Sequence, residues 1–249
     1  MKKIFSMFIA VITAACLLCG CGSTNTYDIP TLDTSPEKSS ASDDGSAERE
    51  SKKTSGELDG YTYYESDIET NYVKIEMTDG DVMLLQLCPD DAPITVANFQ
   101  KLVKERFYDG LIFHRVIESF VIQGGDPEGN GTGGSDENIK GEFSANGVEN
   151  NIKHVRGVIS MARSGSDYDS ASSQFFIVTQ TSENNTASLD GKYAAFGMMI
   201  AGWDTLDEIA SCKVDSNDKP VKEQKINTIR FVVVASSEAS SDESSAVSE

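Results

Sequence analysis

The sequence predicts a mainly β domain, an antiparallel barrel or sandwich, with two helices. Three observations lead there. Short runs of β-branched and aromatic residues recur at 71–77, 82–88, 113–123, 157–162, 173–179, 193–200 and 226–234. Turn signals such as Asp79-Gly80 and Gly124-Gly125-Asp126 stand between them. Helical periodicity shows in two places only, at 95–109 and 203–211.

Both ends of the 249-residue chain read as non-globular. Residues 1–20 open with Lys2-Lys3 and continue as an apolar run, the pattern of a secretory signal peptide. The junction Leu18-Cys19-Gly20-Cys21 resembles the bacterial lipobox, which implies a lipid on Cys21 and a position outside the cytoplasmic membrane. Residues 21–66 are dominated by Ser, Thr, Asp, Glu and Lys and cannot bury enough surface to offset ordering entropy. They are expected to form a disordered tether, and the acidic stretch 236–249 a disordered tail. The folded domain is expected at 67–235.

A net charge of −19 excludes nucleic acid as a partner, since phosphates need clustered Lys and Arg. It equally excludes a polybasic membrane patch, so attachment falls to the lipid. Once the signal is removed, Cys88 and Cys212 are the remaining thiols, and sequence leaves their pairing open. Two histidines, His114 and His154, with no CxxC or HxxxH spacing, give no reason to expect a metal.

Within the domain, Val73, Ile75 and Met77 alternate with Lys74 and Glu76, so one strand face points inward. Asp79-Gly80 turns the chain into a second apolar run. After Pro89 the period lengthens: Val96, Phe99, Val103 and Phe107 form a helical stripe, with Thr95 as the expected N-cap and Gly110 as the stop. The stretch 113–126, FHRVIESFVIQGGD, sets Arg115 and Gln123 into an otherwise apolar surface. Buried polar groups cost free energy unless bonded, so these two either satisfy one another or face an apolar groove that binds something. The Gly-rich segment 124–137 has no Gly-Lys-Ser/Thr and no helical pattern after it, and reads as a surface loop. Phe175 and Phe176 point oppositely as strand neighbours, which assigns Phe175 to the core. His114 flanks Arg115 and is read as structural. His154, Ser160 and Ser164 suggest no triad, and GxSxG is absent.

The stretch 113–126 resembles the signature of cyclophilin-type peptidyl-prolyl cis-trans isomerases. So do GVISMARSGSDYDSASSQFFIVT (157–179) and LDGKYAAFG (189–197). The resemblance implies a closed eight-stranded antiparallel β-barrel capped by two α-helices. It implies catalysis of rotation about X–Pro bonds in proline-containing unfolded polypeptides, with no cofactor and acting as a monomer. That rotation has a barrier of about 18–20 kcal/mol, and no covalent bond breaks. By the same resemblance Arg115 donates to the imide nitrogen, with Phe120 and Gln123 completing the catalytic set. Val121, Phe176 and Leu189 hold the proline ring, and Gln174, Ala162 and Arg163 line the peptide. Tyr193 closes the pocket where many relatives carry His. The chain departs from the family pattern at Arg163, usually Asn, at Val121, commonly Met, and at Ser188, which is Trp in some relatives. A peptide-binding holdase is the alternative, but a pure binder needs no Arg115–Gln123–Phe176 constellation.

Overall fold

In the computed structural model, which describes residues 55–236, the apolar runs become one antiparallel sheet with three helices. A hairpin of β1 (Ser55–Leu58) and β2 (Tyr61–Glu65) precedes a second of β3 (Tyr72–Met77) and β4 (Val82–Leu87). Helix α1 (Pro93–Lys104) leads to β5 (Ile112–Phe113), β6 (Arg115–Ile117) and β7 (Val121–Gly124). After a long loop come β8 (Val158–Met161), β9 (Phe175–Val178), α2 (Glu183–Leu189) and β10 (Ala195–Ala201). Helix α3 (Trp203–Ala210) and the long β11 (Gln224–Ser236) complete the chain.

The strands pair in the order β1-β2-β11-β3-β4-β10-β8-β9-β7-β6, and β5 also pairs β11. This corrects the expectation of a closed eight-stranded barrel. Among the described residues the ladder has eleven strands and does not close. At its β6 end Val116 N–H donates to the Asp218 carbonyl in a loop, at 2.8 Å, rather than to another strand. The helix count is also corrected. Helix α2 has only Leu189 buried, so it leaves no apolar period; Ser182 starts it by accepting from Asn185 N–H at 3.1 Å.

Folding begins earlier than the expected boundary at 67. The β1–β2 hairpin joins the C-terminal half of β11, Val232 to Ser236, beyond the part that pairs β3. Tyr63 packs with Leu84, Ala201 and Val232, against which Leu58 and Tyr61 also lean. This small second core covers the sheet face that alternation assigns to water. Lys74 is fully buried there, its ammonium 2.6 Å from both Glu65 and Glu76.

The main core lies on the other face. Phe99 of α1 meets Tyr108 at 5.1 Å, Phe196 at 5.2 Å and Phe175 at 5.9 Å between ring centroids. Val96, Phe99 and Val103 of the expected stripe are buried. The helix starts differently, however: Ala92 occupies the cap position and Pro93 follows it. The cap itself comes from far away in sequence. The Glu142 carboxylate accepts from Ile94 N–H at 3.0 Å, Thr95 N–H at 2.7 Å and the Thr95 hydroxyl at 2.7 Å. An anion at the positive end of a helix, bonded to its free N–H groups, replaces the local cap.

Candidate active site

Strands β6, β7, β9 and β8 lie side by side, and their register builds the site. Arg115 stands opposite Gln123, Gln123 opposite Phe176, and Phe176 opposite Ser160. Residues directly paired across strands share a face, as do residues two apart along one. Arg115, Val121, Gln123, Phe176 and Val178 therefore line one face. Their neighbours Val116, Ile122, Phe175 and Ile177 turn to the main core.

Arg115 is the start of a polar chain across this face. Its Nη1 donates to Gln123 Oε1 at 3.4 Å, and Gln123 Nε2 donates to Gln174 Oε1 at 2.9 Å. Gln174 Nε2 then donates to the carbonyls of Gly133 at 2.7 Å and Gly131 at 3.2 Å. On the guanidinium's other side, Nε lies 3.6 Å from the Asp218 carboxylate. Arg115 remains about two-fifths exposed, so its remaining N–H groups reach solvent. The loop behind Gln174 is shaped by the Asp126 carboxylate, which accepts from the N–H groups of Glu128, Asn130 and Gly131. Burial alone would raise the Asp126 carboxyl, but these bonds bring it below its ordinary value. Gly125 has φ +82°, and a Cβ there would meet the Ser173 carbonyl, so only glycine fits the turn.

Beside the polar chain is an apolar slot. Val121, Phe176, Val178 and Leu189 are buried together, with Phe120, Ala162 and Tyr193 packed against them. Tyr193 meets Phe176 edge-on at 5.6 Å and 83°. Ala162 N–H donates to the Gln174 carbonyl at 2.9 Å, joining slot to polar chain. Arg163 is held in a cage, its Cζ 4.7 Å from the Tyr193 ring centroid, 4.8 Å from Tyr168 and 5.3 Å from Phe143. Its Nε and Nη1 donate to the Lys192 and Ser164 carbonyls at 3.0 and 2.8 Å. All the groove residues named from sequence thus meet in one place, while Cys21 lies outside the described residues.

Beneath the slot His154 and Ser160 meet Asp190, which the sequence did not bring together. His154 Nδ1 lies 3.0 Å from Asp190 Oδ1, and Nε2 lies 3.0 Å from Ser160 Oγ. Burial lowers the His154 pKa, so the ring is neutral, donating to Asp190 from Nδ1 and accepting from Ser160 at Nε2. Ser160 is fully buried, so no substrate carbonyl reaches its oxygen. The arrangement is a strut and not a nucleophile. Sequence reasoning missed Asp190, although it sits inside the LDG motif, and Asp218, whose loop carries no signal. His114 is buried with no hydrogen-bond partner at either ring nitrogen among the described residues, and burial pushes its pKa down. Among the described residues no cluster of His, Cys, Asp and Glu is arranged to hold a metal.

Residues 72–231 match the family model of cyclophilin type peptidyl-prolyl cis-trans isomerase/CLD. The chain belongs to the cyclophilin family. It is 41% identical over 145 residues to a peptidyl-prolyl cis-trans isomerase of Schizosaccharomyces pombe, covering 58% of this chain and 88% of that protein. It is 34% identical over 200 residues to a putative peptidyl-prolyl cis-trans isomerase of Staphylococcus saprophyticus, covering 70% of this chain and all of the relative. A crystal structure of a cyclophilin-type isomerase from Cryptosporidium parvum, solved in the presence of the dipeptide Ala-Pro, superimposes with a TM-score of 0.57. That match has 32% identity and covers 64% of this chain and 98% of the other. The chain is a cyclophilin-type peptidyl-prolyl cis-trans isomerase. The family match begins at residue 72, after the β1–β2 hairpin.

Proposed function

We propose that this cyclophilin acts outside the cytoplasmic membrane, tethered through a lipid on Cys21, and speeds rotation about X–Pro bonds in exported polypeptides as they fold. The observation that carries the catalytic part is the Arg115–Gln123–Gln174 chain running beside the Val121–Phe176–Leu189 slot. The slot takes the proline ring, burying it against Phe120 and Tyr193. Arg115 donates to the imide nitrogen as its lone pair leaves conjugation with the carbonyl, a stage at which that nitrogen first becomes an acceptor. A guanidinium stays charged at every working pH, and Gln123 and Asp218 hold it from two sides before substrate arrives. Gln174 and the Ala162–Arg163 backbone bind the peptide in extended form. No nucleophile or cofactor has a part in this reaction, because only a torsion changes.

The location rests on sequence: the signal-like residues 1–20, Leu18-Cys19-Gly20-Cys21, and an acidic chain with no basic patch of its own. A single acyl chain binds membranes reversibly and two hold stably, and a lipoprotein cysteine carries at least two. Two experiments test the proposal. The segment 55–236 should accelerate isomerisation of an X–Pro peptide followed by exchange NMR, and absence of acceleration overturns the catalytic reading. In cells, wild-type protein should incorporate a fatty-acid analogue and sediment with membranes, while Cys21→Ser should do neither. Unlabelled wild type recovered from the medium overturns the anchor and leaves the enzyme intact.

A further inference from the structure

Next to the proline slot lies a second recess of about 410 Å³, sharing Gln123, Ala162, Arg163 and Gln174 with the groove. Its lining is mostly polar: residues 131–135, Asn138 and Ser172 contribute, with Ala162 as an apolar part. Arg163 is the one charged side chain in that lining, and no carboxylate is present. The Ser135 hydroxyl is buried and has no hydrogen-bond partner among the described residues. A recess that offers hydroxyl and amide donors around a single guanidinium is matched to an anion.

Arg163 is also free to bind one. Three aromatic rings and two backbone carbonyls fix its plane, yet no ion pair to it exists among the described residues. The nearby loop carboxylates are engaged elsewhere. Asp167 accepts from Asp169 N–H at 2.9 Å, and Asp169 accepts from Gly141 N–H at 3.0 Å and Asn146 Nδ2 at 2.7 Å. In a chain of net charge −19, a guanidinium left uncompensated and held rigid at a substrate groove is the exception. With Nε and Nη1 bonded to the Lys192 and Ser164 carbonyls, Nη2 is the donor left for a carboxylate.

We propose that this recess selects substrates carrying an Asp or Glu side chain on the N-terminal side of the X–Pro bond, with Arg163 as the specificity-determining residue. The inference rests on the groove assignment above. An extended peptide advances about 3.3 Å per residue, so a side chain within three positions of the proline reaches a recess that adjoins the slot.

The test uses the segment 55–236 and peptides with one fixed X–Pro, placing Glu, Gln or Lys in turn at each of three preceding positions. At one position kcat/KM for Glu should exceed that for its isostere Gln by roughly fivefold, with Lys below both, and the ratio should shrink at high salt. Arg163→Gln should bring the Glu-to-Gln ratio close to one. Arg163→Lys, which keeps the charge and loses the planar fork, should retain part of it. A wild-type ratio near one at every position, or a preference unchanged in Arg163→Gln, overturns the proposal. If Gln peptides are turned over and Glu peptides no faster, only the acid selectivity falls. If no peptide is turned over, the groove assignment falls and this inference with it.

Discussion

The His154 imidazole stacks on the Phe176 ring, 6.1 Å between centroids with 21° between planes. Phe176 is a wall of the proline slot, so the histidine sets the slot's shape from behind without touching substrate. Asp190 and Ser160 fix the histidine in turn, and the Asp190 carboxylate also accepts from His154 N–H at 2.9 Å. Asp190 follows Leu189 directly, so one strut aligns two walls of the slot, Phe176 and Leu189. His154→Ala removes the stacked ring and leaves a carboxylate and a hydroxyl short of partners. The expected loss is about 2–4 kcal/mol of unfolding free energy. A fall in kcat/KM should accompany it at temperatures where the variant is still folded. Urea unfolding and isomerisation measured on one preparation decide this; unchanged kcat/KM in the folded variant would show that the strut serves stability alone.

Arg115 gives the opposite pattern. Its guanidinium is half-exposed and its Asp218 contact is long, so it contributes little to stability. Removing a preorganised donor that acts at the transition state costs about 2.7–4 kcal/mol, or roughly 10²–10³ in rate. Arg115→Ala should therefore lower kcat/KM by that factor while leaving Tm nearly unchanged. Near-normal turnover would remove Arg115 from the catalytic role.

How much of this was legible follows from how local each signal is. The alternation of Val73, Ile75 and Met77 and the Asp79-Gly80 turn encode their hairpin within ten residues. The long 113–126 motif carried Arg115, Gln123 and the slot by resemblance. The β1–β2 hairpin was lost because YTYYE sits among polar residues and its partner is the far end of β11, more than 160 residues away. Thr95 looked like an N-cap because a cap is normally local, whereas Glu142 supplies it across 47 residues. His154, Ser160 and Asp190 are ordinary residues until folding brings them together. Sheet closure was implied by resemblance alone, and nothing in the periodicity could have checked it.

The two buried histidines predict how stability depends on pH. Burial lowers the pKa of both His114 and His154 below the ordinary value near 6.5. The unfolded chain therefore binds more protons than the native protein once pH falls toward 6.5. Stability rises with pH wherever the unfolded state holds more protons, so this contribution is complete above about 6.5 and is lost as pH drops toward the native values. The urea midpoint should fall between pH 7.5 and 5.5, and His154→Gln should flatten that slope. A midpoint independent of pH across this range, or an equal slope in the variant, would refute the assignment.

The β1–β2 hairpin should matter for stability and not for catalysis. Lys74 is fully buried between Glu65 of β2 and Glu76 of its own strand, with the Tyr63 ring 5.9 Å away. Burial alone would lower the Lys74 ammonium, but the two carboxylates raise its pKa above the ordinary value, so it stays charged. Breaking such a pair by removing one partner leaves an uncompensated buried charge and costs about 3–5 kcal/mol. Glu65 is itself about a quarter exposed and Glu76 still holds the lysine, so Glu65→Ala should lose less, about 1–2 kcal/mol. Starting the chain at residue 67 removes Glu65 together with Tyr63, which uncovers Leu84 and Val232 as well. The segment 67–236 should then unfold at lower urea than 55–236, by more than Glu65→Ala does, and with a smaller m-value because less surface is buried to begin with. Arg115 and Gln123 lie on β6 and β7, at the opposite end of the strand order from β1 and β2, so kcat/KM of the shortened enzyme at low temperature should match that of 55–236. Equal urea midpoints for the two segments would mean that the hairpin is only an appendage to the cyclophilin domain. A loss of kcat/KM in folded 67–236 would instead connect the hairpin to the groove along β11, whose first residue, Gln224, pairs with Phe113 two positions before Arg115.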